Sequence, residues 1–173
     1  MGCIHIYTGD GKGKSTAAAG LAIRFAGSGG KVQFSQFLKG NNTAEFEVMK
    51  KVENIDLYLP DRTFGFVFRM SEEEKKEAGA YYRDYLARAF QRARDHHAGM
   101  LILDESIGTD NVGFFDHAAF LELLKKRPDD MEIVLTGRDP SEDLIEIADY
   151  VSDIRMVKHP YTKGVKARRG IEY

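Results

Sequence analysis

Short apolar runs alternate along this chain with segments in which apolar residues recur at helical spacing. The runs predicted as strands are residues 3–8, 31–38, 55–59, 99–105, 132–137 and 150–157. The segments predicted as helices are residues 14–27, a long helix that begins after Ser71, and shorter ones around 116–126 and 141–148. This alternation predicts an α/β fold with a mostly parallel sheet and helices on both faces. Ligands of such sheets bind beyond the carboxyl ends of the strands.

Two of the helices carry additional signals. Residues 14–27 are rich in alanine and have apolar residues on every side, which predicts a well-buried helix. Ser71 and Glu74 form an S-x-x-E capping box at the start of the long helix. The apolar positions that follow at helical spacing are Ala78, Tyr81, Tyr82, Tyr85, Leu86, Ala89, Phe90 and Ala93. The preceding residues, 60–70, predict a loop or short extended segment with many aromatic side chains.

Composition and charge narrow the class of protein. The chain has 173 residues, of which 43% are hydrophobic and 30% charged, so we expect one globular domain over residues 1–173. A net charge of -2 gives no reason to expect nucleic acid as a partner. The single cysteine, Cys3, is expected in a buried strand. No apolar run reaches the roughly 20 residues that cross a membrane, and no apolar signal segment precedes the first strand, so we expect a cytoplasmic soluble protein.

The most informative segment is YTGDGKGKST, residues 7–16, which lies between the first strand and the first helix. The usual phosphate loop reads G-x-x-x-x-G-K-[ST]. Gly13, Lys14 and Ser15 match its second half, but the position five before this match is Thr8 instead of glycine. Inward-turned glycine N–H groups, a helix N-terminus and the lysine charge still favour phosphate binding over a solvated glycine turn. The predicted nucleotide-binding residues of the loop are Gly9, Asp10, Gly11, Lys12, Gly13, Lys14, Ser15 and Thr16.

Charged residues follow two of the other predicted strands. Asp104 and Glu105 end an apolar run, where an acid would complete a Mg²⁺ site with the Ser15 hydroxyl; solvated acids at a strand end are the alternative. Arg138 follows the strand 132–137, where it would reach a phosphate or the ribose, with a surface salt bridge as the alternative. Together with the loop, these residues predict a nucleotide-binding P-loop (RecA-like) fold.

The order of the motifs resembles that of the ATP:corrinoid adenosyltransferases, and the resemblance extends over nearly the whole chain. Besides the loop and its off-consensus spelling, the matching segments are QFLKG at 36–40 with Glu45, GFVF at 65–68, LILDE at 101–105, LTGR at 135–138 and VKHPYTKGVKARRGIEY at 157–173. The loop alone would indicate only a nucleotide-binding protein. Its combination with the C-terminal segment is much more specific.

The resemblance implies an unusual use of ATP. In the family, a corrinoid cobalt reduced to Co(I) attacks the 5′ carbon of the ribose, triphosphate leaves, and ATP lies in the loop in the direction opposite to that in ordinary P-loop hydrolases. For this chain, it implies ATP and a reduced corrinoid as substrates and Mg²⁺ as a cofactor on Ser15 and Glu105. Lys14, Ser15 and Glu105 are the implied catalytic residues, because they would stabilise charge on the departing triphosphate.

An aromatic segment is implied to contact the second substrate. Family members press aromatic side chains against the lower face of the corrin to ease reduction of the cobalt, and GFVF implies that Phe66 and Phe68 do so here. Phe68 stands where some relatives have tryptophan. A hydrophobic strand face that includes Phe64 is the alternative. The resemblance also implies a homodimer, whose partner subunit would help to cover the corrinoid, and a reducing partner such as a flavoprotein.

Two other functions stay open at this point. An ordinary P-loop kinase or NTPase would produce ADP instead of free triphosphate, and the sequence offers no clear lid or acceptor site for it. An ATP-gated carrier of the adenosylated corrinoid would bind the same ligands but turn over little. The identity of the phosphate product separates the first from an adenosyltransferase, and the rate of product dissociation separates the second.

Overall fold

Six parallel strands form one sheet in the described part of the chain, which comprises residues 1–40 and 42–173 of a computed structural model. The strands are β1 (Ile4–Thr8), β2 (Val32–Gln36), β3 (Ile55–Tyr58), β4 (Met100–Asp104), β5 (Glu132–Thr136) and β6 (Tyr150–Asp153). The helices are α1 (Lys14–Gly27), α2 (Glu45–Met49), α3 (Glu72–Asp95), α4 (Ser106–Asn111), α5 (His117–Lys125) and α6 (Glu142–Ile147). Two 3₁₀ turns lie at Val67–Arg69 and Pro160–Lys163.

The strand order is β3-β2-β4-β5-β1-β6, and every neighbouring pair is parallel. All carboxyl ends therefore lie at one edge of the sheet, where ligands of such sheets bind. The pairing register places the ends of neighbouring strands side by side, with Gln36 opposite Asp104 and Tyr7, the last but one residue of β1, opposite Thr136. Consequently, the loop after β1, the turn after β2 and the residues after β4 and β5 lie together, although they are far apart in the sequence.

Alternate residues of the central strands pack on opposite faces of the sheet, as helices on both faces require. In β4, Met100 and Ile102 pack in the cluster formed with α1 and α2, whereas Leu101 and Leu103 pack in the cluster formed with α3, α4 and α5. All residues of β4 are buried. The predicted α/β fold with a parallel sheet covered on both faces is confirmed.

Helix α1 is less buried than the sequence predicts. Its buried residues are Ala18, Ala19, Ala22 and Ala26. They form one face, and Ile23 on another side is 43% exposed. The prediction was wrong because isolated apolar side chains are common on protein surfaces, so apolar composition alone does not indicate burial on all sides. The short alanine side chains bring the helix backbone close to the sheet.

Helix α3 follows its prediction closely. The Ser71 side chain accepts a hydrogen bond from the Glu74 amide (3.2 Å), and the Glu74 carboxylate accepts one from the Ser71 amide (2.7 Å), so the capping box is confirmed. Of the predicted apolar positions, only Tyr81 is half-buried instead of buried, and its hydroxyl donates a hydrogen bond to Asp61 (2.6 Å). Burial and this hydrogen bond raise the pKa of Tyr81 to about 12.

All six strands are somewhat shorter than predicted, and the difference is largest for β2 and β6. β2 ends at Gln36 because the chain turns at Leu38, whose φ is 59°. β6 ends at Asp153 and is an edge strand, and all of its residues are exposed. Helices α2 and α4, with 5 and 6 residues, were not predicted, because helical periodicity is weak in such short segments; α6 is equally short and was predicted only as part of a longer segment, 141–148. Among the described residues, no helix combines the length and the hydropathy needed to traverse a bilayer.

Candidate active site

The glycine-lysine loop closes around its own lysine. Gly13 immediately precedes α1 and has φ 124°, and its carbonyl accepts a hydrogen bond from the Ala17 amide (2.7 Å). The Lys14 ammonium donates hydrogen bonds to the carbonyls of Gly9 (2.6 Å) and Gly11 (2.8 Å). Burial, followed by the positive charge of Arg138, lowers the pKa of Lys14 below its usual value. A compact positive group therefore lies at the N-terminus of α1, as phosphate binding requires.

The segment after β6 fastens this loop to the sheet. The Gly11 amide donates a hydrogen bond to the Ile154 carbonyl (2.7 Å), and the Asp10 carboxylate accepts one from the Met156 amide (2.8 Å). Gly9 has φ 101°, and a Cβ there would lie 2.4 Å from the Ile154 oxygen, so no larger residue fits without a shift of the backbone. Three of the predicted nucleotide-binding residues therefore hold the loop in shape.

The two acids after the apolar run have different environments. Asp104 is fully buried at the end of β4 and accepts hydrogen bonds from the Thr136 hydroxyl (2.7 Å) and the Gln36 side-chain amide (3.0 Å). Glu105 follows with φ 61°, a conformation that is costly for a residue other than glycine. Its amide donates a hydrogen bond to the Thr136 hydroxyl (2.9 Å), which thus links both acids. The solvated alternative is therefore wrong for Asp104.

A residue that sequence reasoning did not single out lies at the centre of the site. The Lys39 ammonium is 3.0 Å from the Ser15 hydroxyl, 2.8 Å from a Glu105 carboxylate oxygen and 3.4 Å from an Asp104 carboxylate oxygen. Burial by itself lowers the pKa of Lys39, but the charges of the two acids and the hydrogen bonds to them outweigh it and raise that pKa. The only feature of the sequence that pointed to Lys39 was its place within QFLKG, one of the segments that resemble the family.

The donor atoms around this lysine suit Mg²⁺. The hydroxyl of Ser15 and the carboxylates of Asp104 and Glu105 converge on one cationic group, and Mg²⁺ prefers such oxygen donors. The residues described contain no group of three or more His, Cys, Asp and Glu side chains arranged to hold a metal. Mg²⁺ in nucleotide sites is usually held by one or two carboxylates together with substrate phosphates, so the set here fits Mg²⁺ bound with a nucleotide.

Two cavities meet at this cluster. The loop cavity has a volume of ≈ 220 Å³ and is lined by the loop from Asp10 to Thr16 and by Lys39, Glu105 and Arg138. The large cavity has a volume of ≈ 670 Å³ and is lined by Gln36, Leu38, Thr63 and Phe66, among others. Both cavities are lined by Ser15, Thr16, Lys39 and Glu172. The predicted residues Lys14, Ser15, Glu105 and Arg138 are thus brought together.

The aromatic segment lines the large cavity through Phe66, whereas Phe68 is not part of that lining, and both rings are open to solvent. Phe66 is 66% exposed and Phe68 is 79% exposed, and their rings stack with centroids 5.5 Å apart. The Arg69 guanidinium lies 5.7 Å from the first ring centroid and 5.4 Å from the second. The chain forms a 3₁₀ turn over Val67–Arg69, whereas Phe64 packs against α3. The alternative of a hydrophobic strand face is therefore wrong.

The C-terminal segment covers the loop, which the sequence did not predict. His159, Ile171 and Glu172 line the loop cavity. The Glu172 carboxylate forms an ion pair with Arg168 (3.0 Å), which keeps the end of the segment folded back on itself. The hydrogen bond of this arginine and then its charge lower the pKa of Glu172. A segment 157–173 that matches the family motif thus contributes walls to the site.

Solved structures support the fold. A KaiC-like protein, PH0186, from the hyperthermophilic archaeon Pyrococcus horikoshii OT3 superposes with a TM-score of 0.57 over 90% of this chain and 73% of its own. The identity of 16% is low, so this similarity concerns the fold alone. It agrees with the predicted P-loop (RecA-like) architecture.

Sequence relatives identify the family. The model for ATP:corrinoid adenosyltransferase BtuR/CobO/CobP matches residues 1–173. The corrinoid adenosyltransferase of Sinorhizobium sp. is 34% identical over 99% of this chain and 80% of its own length. That of Escherichia coli K12 is 33% identical over 99% of this chain and 86% of its own. Corrinoid adenosyltransferase CobA of Salmonella typhimurium is 30% identical over 99% of this chain and 86% of its own length. This chain therefore belongs to the ATP:corrinoid adenosyltransferase family.

Proposed function

We propose that this protein transfers the 5′-deoxyadenosyl group of ATP to the Co(I) ion of a corrinoid and releases triphosphate. One observation supports this most: the loop cavity and the large cavity meet at Ser15, Lys39 and Glu172. Triphosphate in the loop cavity would leave the ribose at this junction, with its 5′ carbon facing a corrinoid in the large cavity. Ordinary phosphoryl transfer would instead require the terminal phosphorus to face the acceptor.

Lys14 and Arg138 would stabilise the triphosphate as its charge grows. Lys14 lies inside the loop, and Arg138 follows β5 and lines the same cavity. Lys12 and the N-terminus of α1 add positive potential on the same side. Fixed cationic groups at the position where charge develops lower the barrier, because they need no reorganisation during the reaction.

Ser15 and Glu105 would hold Mg²⁺ together with the phosphates. The bound ion would neutralise charge on the leaving triphosphate. Asp104 keeps Glu105 in position through the shared Thr136 hydroxyl. No protein base is needed, because the nucleophile is the cobalt of the substrate. Catalysis is then mainly positioning, which contributes about 7–11 kcal/mol in favourable geometries.

Phe66 and Phe68 would contact the face of the corrin. Two stacked and largely exposed aromatic rings, one of which lines a cavity, are unusual on a protein without an apolar ligand. They would exclude water from the lower face of the corrin and so favour loss of the axial ligand and reduction of the cobalt. The proposal includes a reducing partner such as a flavoprotein and a homodimer in which the second subunit helps to cover the corrinoid.

The test is anaerobic incubation of the protein with ATP, Mg²⁺ and a corrinoid chemically reduced to Co(I). We expect the Co(I) absorbance to disappear and phosphorus NMR to detect intact triphosphate in equal amount. Samples that lack the corrinoid or contain a chelator in place of Mg²⁺ are the controls. ADP as the phosphate product would contradict the proposal and favour a kinase or NTPase. A single turnover followed by product release only on addition of ATP would favour the carrier.

A further inference from the structure

The position that the proposed function gives to Mg²⁺ is occupied here by the side chain of Lys39. Its ammonium lies 2.8 Å from a Glu105 oxygen, 3.0 Å from the Ser15 hydroxyl and 3.4 Å from an Asp104 oxygen. These atoms come from α1, from the end of β4 and from the residue after it. A single cationic group therefore holds together the oxygen donors that a metal ion would use.

The main chain after β2 directs the lysine to this point. The Phe37 amide donates a hydrogen bond to the Asp104 carbonyl (2.9 Å), so the residue after β2 stays attached to β4. Leu38 then takes a left-handed conformation with φ 59°, and the Lys39 amide donates back to the Phe37 carbonyl (2.6 Å). The resulting tight turn brings the Lys39 side chain back over the strand ends. Its side chain is 38% exposed and borders both cavities.

We propose that Lys39 is an internal counter-ion that keeps the metal ligands together in the nucleotide-free protein and is displaced when Mg²⁺ and ATP bind. This inference rests on the proposed metal ligands, Ser15 and Glu105. A fully buried carboxylate such as Asp104 is costly without a nearby cation. An ammonium and Mg²⁺ on the same oxygens would repel each other strongly, so they exclude one another. Mg²⁺ alone is then a poor ligand, because it must expel the lysine.

The nucleotide provides a new partner for the displaced lysine. Since Lys39 lines both cavities, rotation of its side chain moves the ammonium from the carboxylates towards phosphate oxygens in the loop cavity. A second acceptor is available on the other side. The side-chain oxygen of Gln36 is buried, has no hydrogen-bond partner among the described residues, and belongs to a residue that lines the large cavity. Metal and nucleotide should therefore bind cooperatively, with Lys39 as the group that couples them.

The experiment measures Mn²⁺ binding by electron paramagnetic resonance in the absence of nucleotide, with Mn²⁺ as a visible substitute for Mg²⁺. Lys39→Met removes the competing cation, and we expect the affinity for Mn²⁺ to rise about tenfold or more. Lys39→Gln, which keeps a hydrogen-bond donor, should give the same rise if the methionine variant is unstable. Lys39→Arg keeps the charge and should stay near the wild-type affinity. Lys12→Met removes a charge from the same cavity without touching the acids and should have a much smaller effect.

A second measurement follows thermal unfolding of the same proteins. Lys39→Met should unfold at a lower temperature in a chelator and regain stability when Mn²⁺ is added, because the metal replaces the lost cation. Equal Mn²⁺ affinity in wild type and Lys39→Met would overturn the inference. An increase in Mn²⁺ affinity in Lys12→Met as large as that in Lys39→Met would also overturn it. The inference would fail as well if the double variant Lys39→Met/Glu105→Gln kept the increased Mn²⁺ affinity, because the metal would then bind elsewhere.

Failure of the proposed function would look different. The proposed metal ligands are tested in the presence of ATP, where Ser15→Ala and Glu105→Gln should weaken Mn²⁺ binding. The reaction itself is tested by the phosphate product. Neither result depends on the comparison of wild type with Lys39→Met made without nucleotide.

Discussion

The two cavities that meet at Ser15 are built in different ways. The loop cavity is formed mainly by the loop after β1 and the start of α1, and the neighbouring Asp104 is fully buried with fixed hydrogen-bond partners. The large cavity is formed mainly by loops and by the end of the chain, and Phe66 on its wall is 66% exposed. One region is rigid and charged, and the other is open and partly apolar.

This difference corresponds to the ligands proposed for each cavity. A triphosphate is small and highly charged, so it is stabilised by donors whose positions are fixed in advance. A corrinoid is large and flat, so it is bound through area and shape, and loops can adapt to it. The comparison predicts that substitutions in the loop cavity impair nucleotide binding, whereas substitutions at the aromatic segment impair use of the corrinoid.

The largest effect is expected from Lys14→Ala, which alters only the loop cavity. The variant loses the ammonium that bonds the Gly9 and Gly11 carbonyls and that is proposed to face the phosphates. ATP affinity, measured by calorimetry, should fall about 10- to 100-fold, because a hydrogen bond to a charged group contributes about 1.5–3 kcal/mol. Corrinoid binding should be retained. The control is Lys50→Ala, since Lys50 is exposed and pairs only with Glu47 among the described residues. Normal ATP affinity in Lys14→Ala would contradict the assignment.

Thr136→Val should have the next largest effect, because it tests the rigidity of the strand ends. Valine has a similar shape but cannot donate to Asp104 or accept from the Glu105 amide. Loss of these buried hydrogen bonds should lower the free energy of unfolding by about 1–3 kcal/mol, measured by urea denaturation. Thr136→Ser keeps the hydroxyl and should lose much less. A larger loss in Thr136→Ser than in Thr136→Val would contradict the prediction, because the methyl group rather than the hydrogen bonds would then matter.

Phe68→Ala tests the aromatic segment beside the other cavity, because Phe68 stacks on Phe66, which lines that cavity. ATP affinity should be unchanged, while activity with a Co(II) corrinoid and a mild reductant should fall about tenfold, the scale of one lost aromatic contact. With chemically prepared Co(I) the defect should shrink, because reduction is no longer needed. Activity equal to wild type in the Co(II) assay would remove the case for aromatic contacts to the corrin. A parallel loss of ATP affinity would show that the two cavities are not independent.

The smallest effect concerns helix α4, which begins directly after Glu105. His117 bonds Asp110 of this helix (2.7 Å) and approaches Asp143 (3.5 Å). Burial by itself lowers the pKa of His117, but the hydrogen bond to Asp110 and the nearby negative charges raise it above 6.5 overall. The stabilisation is therefore complete below the unfolded pKa and is lost as pH rises through the folded one.

His117→Gln should accordingly cost stability at about pH 5.5 and little at about pH 8.5. The side chain of His117 is 39% exposed, so we expect only about 0.5 kcal/mol at the lower pH. Chemical denaturation of both proteins at the two pH values measures the difference. A larger cost at the higher pH would mean that the neutral imidazole, not the charged one, secures α4.

Local patterns explain which elements were predicted correctly. The capping box at Ser71 and the periodicity of α3 depend on residues close in sequence, and both are present. The phosphate loop was recognised because glycines, a lysine and a hydroxyl follow one another between a strand and a helix. Lys39 and Thr136 were missed because their partners are distant: Lys39 contacts Ser15 and Glu105, and neither separation follows a period.

The sequence by itself determined the parallel α/β architecture, the phosphate loop, the two acids at the end of β4 and the family. Each of these is encoded in short contiguous patterns or in the order of such patterns along the chain. Only the tertiary structure decided which residues share the site. The strand order places β4 beside β2 and β5, and β1 beside β5 and β6. That order brings Lys39 between Ser15 and Glu105 and the C-terminal segment over the loop. The physical reason is that strand pairing joins distant segments through backbone hydrogen bonds, and every strand offers the same backbone donors and acceptors, so a local side-chain pattern does not specify which strands become neighbours.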